Sequence, residues 1–275
     1  MSIVISKADG TTQQFDRNKL FSSLKRSGAA TDMAEEITQE IEKNVLSGAT
    51  TQEIYSRAFA HLKRHKHGAA ARYSLKLAIL NFGPSGFPFE SYIAELFRAE
   101  GYKTKVDQIV RGACVEHEVD VVIDKKTETV YAEVKFHNTA GFKTDLKTAL
   151  YVEARIEDIA AYHRSTIARG LLVTNTKFTT YATGYARCKG LELLGWEYPQ
   201  GATLQDRIDK AGLYPVTALT TLNNREKTAL LKDRVVLCRA LPEETEALTR
   251  AGISGRKADR VMEEVGALCT PRVGI

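Results

Sequence analysis

EVDVVIDKKTETVYAEVKFH, residues 118–137, is the stretch whose reading decides the fold. Two apolar runs, Val119–Ile123 and Val130–Phe136, flank a polar turn at Lys125–Glu128, which predicts a β-hairpin. A four-residue turn sets Asp124 against Thr129 and Asp120 against Glu133, whereas a two-residue turn sets Asp120 against Lys135. Strand side chains alternate, so Glu133 and Lys135 project together and Val134 points the other way. Either register gathers charge on one face of an otherwise apolar hairpin. Two carboxylates facing each other across strands repel, and a divalent cation between them relieves that repulsion. Hard cations such as Mg²⁺ take carboxylates, waters and phosphate oxygens, and an amine beside them reaches the attacked phosphate. The alternative is an exposed hairpin whose charges are simply solvated.

Working outward, a helix precedes the hairpin. Phe89, Tyr92, Ile93, Leu96 and Phe97 form an i, i+3, i+4 stripe, with Glu90 at its start as either a charge favourable to the helix N-terminus or a catalytic acid. A strand near Lys103–Val110 leads into the hairpin. Beyond it, Leu146, Ala149, Leu150, Ala154, Ile156 and Ile159 give a long helix its apolar side, with Tyr151, Glu153, Arg155 and Asp158 among the solvent-facing candidates. Gly170–Thr174 (GLLVT) is apolar on both sides and suits a buried central strand, followed by a helix around Tyr181–Lys189 and a strand in GLELLGW. That order makes an α/β sheet with helices on its faces.

The layout and motif resemble the PD-(D/E)xK restriction-endonuclease-like superfamily in its Mrr-type branch, from Gly86 to about Trp196. The likeness rests on FE in the first helix, EVD and EVK in the hairpin, and GLLVTNTKFTTYATGYA followed by GLELL. It implies a catalytic Asp at Asp120, the acid and lysine pair at Glu133 and Lys135, and a helix glutamate at Glu90. It further implies Mg²⁺, or Mn²⁺, on Asp120, Glu133 and the Val134 carbonyl, with Lys135 orienting or activating water and Glu90 holding a second metal or steadying Lys135. Many Mrr-type members carry Gln where this chain has Glu133, and Val119 replaces a proline that often precedes the Asp. His117 and His137 flank the hairpin as general-base or substrate-facing candidates, and Tyr151 and Arg155 are candidates for DNA phosphates or for a solvated face.

The first 81 residues predict a hairpin, Ser2–Ile5 and Gln13–Phe15 around a turn at Ala8-Asp9-Gly10, and then helices. Asp16 is placed to cap a helix through Leu20 and Leu24; further stripes run through Ile37, Ile41 and Val45, through Ile54, Ala58 and Leu62, and along Ala69–Leu80. VISKADG, FDRNKL and ARYSL resemble an ATP-cone, the nucleotide-sensing domain of ribonucleotide reductases and of a repressor of their genes. That likeness implies ATP or dATP, with Lys7 and Lys19 at the phosphates and Arg17 a matching position; the family's Arg after the lysine is Ala8 here. No GxxxxGK[ST] loop occurs, so nucleotide is sensed rather than consumed. His61 and His65 share a helix face, a spacing that suits a metal, but Lys63, Arg64 and Lys66 around them favour a basic anion-binding surface.

Asn81–Pro88, rich in Gly and Pro, marks a boundary. The expected organisation is an ATP-cone-like domain over 1–81, a nuclease domain over 86–198 and a helical tail over 200–275, clearest at Asp206–Leu213 and Arg225–Leu241. Within the tail, Gly252, Ile253, Gly255 and Ala258 resemble a single helix-hairpin-helix turn, against the plainer reading of a packing or dimerisation tail. The 275 residues carry a formal charge of +5, compatible with a nucleic-acid partner. Four cysteines, Cys114, Cys188, Cys238 and Cys269, lack CxxC spacing and read as reduced core residues. No signal peptide or membrane span is evident, which points to the cytoplasm. The leading expectation is a Mg²⁺-dependent DNA endonuclease of restriction or defence type, regulated by ATP or dATP and dimeric if it cuts both strands. The alternatives are a non-catalytic DNA- or nucleotide-binding protein and a structure-selective repair nuclease.

Overall fold

The structure is a computed structural model and describes residues 3–7, 10–163 and 167–269. Among the described residues the chain folds as two compact units, one built from those up to Asn81 together with 214–269, the other from Phe82–Leu213.

In the first unit, strands β1 (Val4–Ser6) and β2 (Thr12–Gln14) pair antiparallel; Ala8 and Asp9 of the expected turn lie outside the described residues. Helix α1 (Arg17–Ser27) begins where Asp16 accepts a hydrogen bond from the Lys19 amide, as the capping pattern predicts. Helices α2 (Thr31–Asn44) and α3 (Thr51–His65) follow, α3 opened by a capping box between Thr50 and Glu53. The single helix expected over 69–80 is two, α4 (His67–Tyr73) and α5 (Leu75–Leu80), parted at Ser74, whose hydroxyl turns back onto the Ala71 carbonyl. Leu20, Leu24, Ile37, Ile41, Ile54, Ala58 and Leu62 make the core.

The second unit opens with α6 (Phe87–Ala99) and continues through β3 (Lys103–Arg111), β4 (Glu116–Asp124), β5 (Glu128–Lys135) and the short β6 (Lys143–Thr144). Helix α7 (Leu146–Tyr162) leads to β7 (Ile167–Thr174), β8 (Lys177–Phe178), α8 (Thr180–Lys189), β9 (Glu192–Leu194) and α9 (Leu204–Ala211). The mixed sheet runs β3-β4-β5-β7-β9, antiparallel across β3, β4 and β5 and parallel across β5, β7 and β9. Its hairpin takes the four-residue turn: Asp124 pairs with Thr129 and Val121 with Ala132. Val152, Ile156 and Ile159 of α7 pack with Ala182 and Ala186 of α8 on Val119, Tyr131 and Leu172. Phe89 of α6 packs on Phe136 just past β5.

The chain beyond Tyr214 returns to the first unit as α10 (Asn224–Lys232), α11 (Thr245–Arg250) and α12 (Gly255–Cys269). The helix expected over 225–241 stops at Lys232 because Arg234 adopts φ +61°, and the Val235 amide closes onto the Leu230 carbonyl. Arg72 of α4 caps the end of α12, donating to the Ala267 carbonyl at 2.7 Å, and the Thr217 hydroxyl donates to the Ala78 carbonyl at 2.7 Å. Cysteine placement differs from expectation: all four are free, but only Cys238 is buried, while Cys114 and Cys188 are exposed. Cys114 lies in the β3–β4 turn, where its amide donates to Asp158 and its thiol faces the same carboxylate.

Candidate active site

Extending the hairpin pairing one step beyond Val121 and Ala132 sets Asp120 against Glu133. The β3–β4 register, with Val106 on Val121 and Gln108 on Val119, sets Asp107 against Asp120. Three carboxylates thus occupy one level across three strands. Asp107 adopts φ +53°, a left-handed conformation that Asp tolerates better than most residues, at the point where the ladder beside Asp120 is interrupted. Sequence reasoning missed Asp107, because a polar residue on an edge strand reads as solvated.

The hydrogen bonds around this row are specific. The Val134 amide donates to Asp120 Oδ2 at 2.6 Å, tying β5 to β4 where the side chain replaces a ladder partner. Glu133, only 8% exposed, accepts from Arg155 Nη1 at 2.6 Å on one oxygen, and Lys135 Nζ lies 3.7 Å from the other. Arg155 is itself 8% exposed, and its Nη2 donates to the Tyr151 hydroxyl at 2.8 Å. This corrects the solvent-facing expectation for Arg155. Its number was the signal, since 152, 155, 156 and 159 form one face of α7 and that face is the buried one. Asp158 is likewise structural: it accepts from the Cys114 amide at 2.8 Å and pairs with His117 at 2.8 Å. Together these bonds hold its carboxyl below the usual range.

Glu90 stands in the first turn of α6, as a helix N-terminus favours, and also within electrostatic reach of the acid row. Burial, then the charges of Asp120, Asp107, Glu133 and Glu118, push its pKa up to about 7. Burial and Glu133 push Asp120 up to about 6, against the Val134 amide, Arg155 and Lys135, which favour its charge. Crowded acids that resist ionising mark a place suited to a cation. Among the described residues no group of three or more His, Cys, Asp or Glu is arranged to hold a metal ion on its own. The donor set instead fits a hard ion that takes one or two carboxylates and draws its other ligands from water and phosphate.

Lys135 is fixed from behind by polar residues that the apolar reading of GLLVT passed over. Thr174 donates to the Lys135 carbonyl at 2.9 Å, and buried Asn175 takes both backbone groups of His137: its Nδ2 donates to the carbonyl at 2.7 Å and its Oδ1 accepts from the amide at 2.9 Å. Burial and the Lys135 charge lower the His137 pKa. In the other unit, Lys7 follows β1 and Lys19 lies in the first turn of α1, both exposed. Arg17 is tied to Glu35 and Glu42, and His61 pairs with Glu40 at 2.8 Å. These partners explain both residues without a ligand.

Comparison with known proteins fits this arrangement. Residues 84–198 match the catalytic family of Mrr, described as a restriction endonuclease, and residues 3–77 match the ATP cone domain. The chain belongs to the Mrr-type restriction-endonuclease-like family, with an ATP-cone at its start. Residues 214–269 match a third family, AF1548-like, C-terminal. An uncharacterized protein of Archaeoglobus fulgidus is 36% identical over 173 residues, spanning 62% of this chain and 97% of its own length. The crystal structure of AF1548, a protein of unknown function, is 33% identical, covers 67% of this chain and 98% of that one, and superposes with a TM-score of 0.55. A repair endonuclease from Pyrococcus abyssi overlaps 40% of this chain and 46% of its own at 23% identity, with a TM-score of 0.33, too loose to carry an argument. The Mrr-type unit is a nuclease domain by family. Among the described residues no helix is long and apolar enough to cross a membrane.

Proposed function

We propose that this Mrr-type protein is a metal-dependent endodeoxyribonuclease of restriction or defence type whose cutting responds to ATP or dATP. The register carries the reading: Asp120 lies against Glu133, and Lys135 reaches the same carboxylate from the edge of the strand. Asp120, Glu133 and the Val134 carbonyl would hold Mg²⁺ or Mn²⁺. The carbonyl belongs in that set because a strand residue whose amide faces one neighbour turns its carbonyl to the same side. The ion, when bound, supplies Lewis-acid charge at a phosphoryl oxygen and acidifies water.

The side chains do the rest. Arg155 occupies one oxygen of Glu133 and leaves the other facing Lys135. Lys135, with its side chain 49% exposed, extends its ammonium toward solvent, where it meets the scissile phosphate and orients the attacking water. Glu90 adds a carboxylate that takes a second cation or steadies Lys135. Lys7 and Lys19 bind the nucleotide phosphates in the ATP-cone and couple its occupancy to cutting. Four free cysteines suit a reducing cytoplasm, and cutting both strands calls for two copies of the chain.

The test is a cleavage assay on methylated and unmethylated plasmid with Mg²⁺, with and without ATP or dATP. Nicking or cutting that needs the divalent cation is the expected outcome. Plasmid and branched DNA both left intact under every condition, while the protein still binds DNA, would favour a non-catalytic binding protein.

A further inference from the structure

The loop joining β5 to α7 is anchored at both ends. At one end Asn175, 1% exposed, grips the backbone amide and carbonyl of His137. At the other, Lys143 and Thr144 pair in parallel with Lys177 and Phe178, and the Thr179 amide donates to the Thr144 carbonyl at 3.0 Å. His137 Nε2 lies 3.2 Å from Thr144 Oγ1, so the ring bridges the two anchors. Phe142 lies flat on that ring, with centroids 5.7 Å apart and planes inclined by 13°. Yet Phe142 is 60% exposed.

A phenylalanine has no polar atom to justify so much contact with water, and this one is held in place rather than left to fold away. Its stacking partner lies two residues past Lys135, at most about 7 Å along an extended chain. A second exposed ring approaches the same centre by another route: Tyr151 bonds to Arg155, which bonds to Glu133. A flat apolar surface beside a phosphate-cutting centre cannot pair with phosphate. It also finds no partner in an intact duplex, where each base face is already covered by its neighbours. A base lifted out of the stack offers a free π face, and stacking on an aromatic side chain is sequence-tolerant.

We propose that the His137–Phe142 pair is a base-stacking shelf that selects DNA carrying an unpaired nucleobase next to the scissile phosphate, as at a flap, branch or mismatch. The shelf deepens the nuclease reading of Asp120, Glu133 and Lys135 and rests on it for the position of the phosphate. Because the ring is preorganised, ordering it adds little cost to binding. The gain from one stacked base corresponds to roughly a tenfold to hundredfold preference over paired DNA.

The test uses the full chain and oligonucleotides with 2-aminopurine as the unpaired base of a flap or as a paired base in a duplex. Ca²⁺ replaces Mg²⁺ for the binding measurements, and cleavage is followed in parallel with Mg²⁺. The expected result is fluorescence quenching on the flap but not on the duplex, lost in Phe142→Ala and kept in Phe142→Trp. Flap affinity in Phe142→Ala should drop to within about twofold of duplex affinity. Since Phe142 is exposed, the alanine variant keeps the fold. Equal affinity of the wild type for flap and duplex, or undiminished quenching in Phe142→Ala, overturns the shelf. Flap and duplex cut at equal rates also overturns it while leaving the nuclease reading intact. Phe142-dependent quenching with no cleavage of any substrate upholds the shelf and removes the nuclease.

Discussion

Glu264 of α12 and Glu133 of β5 are buried to similar depth, 4% and 8% exposed, but their surroundings differ in kind. Glu264 receives four hydrogen bonds, from the amides and hydroxyls of Thr220 and Thr221, all between 2.7 and 2.9 Å. The Thr220 hydroxyl oxygen in turn lies 2.7 Å from His67 Nδ1, which links α12 to α4. Every lone pair that burial strips of water is repaid locally. Glu133 has one guanidinium, one distant ammonium, and Asp120 facing it across the strands. The first arrangement is complete without a ligand. The second holds carboxylates that repel one another, with Asp120 and Glu90 driven toward neutrality, and it gains from a cation. A buried acid whose partners satisfy it is part of the fold, and one whose neighbours oppose it is a candidate for chemistry.

The largest effect should separate the two in activity. Asp120→Ala and Lys135→Ala are each expected to lower Mg²⁺-dependent DNA cleavage by at least about a hundredfold, the scale for deleting one group that acts on developing charge. Glu264→Ala should leave the folded enzyme's cleavage rate within about twofold of wild type. Plasmid-nicking rates at a temperature where all three variants are folded decide the matter. A Glu264 variant as inactive as the Asp120 variant would break the comparison.

The next effect is on stability. Arg155→Ala strands Glu133 beside Asp120 without its guanidinium, and breaking a buried ion pair from one side costs about 3–5 kcal/mol. Urea unfolding should show that loss, and adding Glu133→Ala to the same chain should restore part of it. No such recovery is expected when Glu264→Ala is combined with His67→Ala, because the threonine donors stay unpaired in both.

How far the sequence anticipated this depends on which kind of interaction is meant. Alternation in β4 and β5 and the polar turn were enough to bring Asp120, Glu133 and Lys135 onto one centre, because a period of two leaves few choices of face. The Asp16 cap and the α3 stripe were local and legible in the same way. Arg155 was misread because a charged residue on a helix is usually solvated, and its buried position depends on a carboxylate 22 residues away. Asn175 and Asp107 were invisible for related reasons: one replaces a backbone partner for His137, and the other acquires its neighbours only when β3 pairs with β4. Helix ends in the C-terminal region failed where a non-glycine residue, Arg234, takes the left-handed conformation that composition assigns to glycine.

The smallest effect is the most direct test of the electrostatic contrast. For a carboxyl whose pKa is raised by folding, the folded chain keeps a proton that the unfolded chain has released. Stability therefore falls as pH climbs from the ordinary value through the folded one, and the cost is complete above it. For Asp120 that window runs from 3.8 to about 6, and for Glu90 from 4.5 to about 7. Asp120→Asn keeps an oxygen for the Val134 amide and removes the charge, so in EDTA its melting temperature should match wild type near pH 3.5, below that window. By pH 8 it should exceed wild type by a few degrees, on the order of 1–2 kcal/mol once solvent screening is allowed for. Adding Mn²⁺ at pH 8 should raise the wild type and close the gap, because a cation restores the charge balance that the asparagine supplies by subtraction. Glu264→Gln should instead melt below wild type at both pH values and leave the response to Mn²⁺ unchanged, since its four donors already do for that carboxylate what the metal does for the acid row.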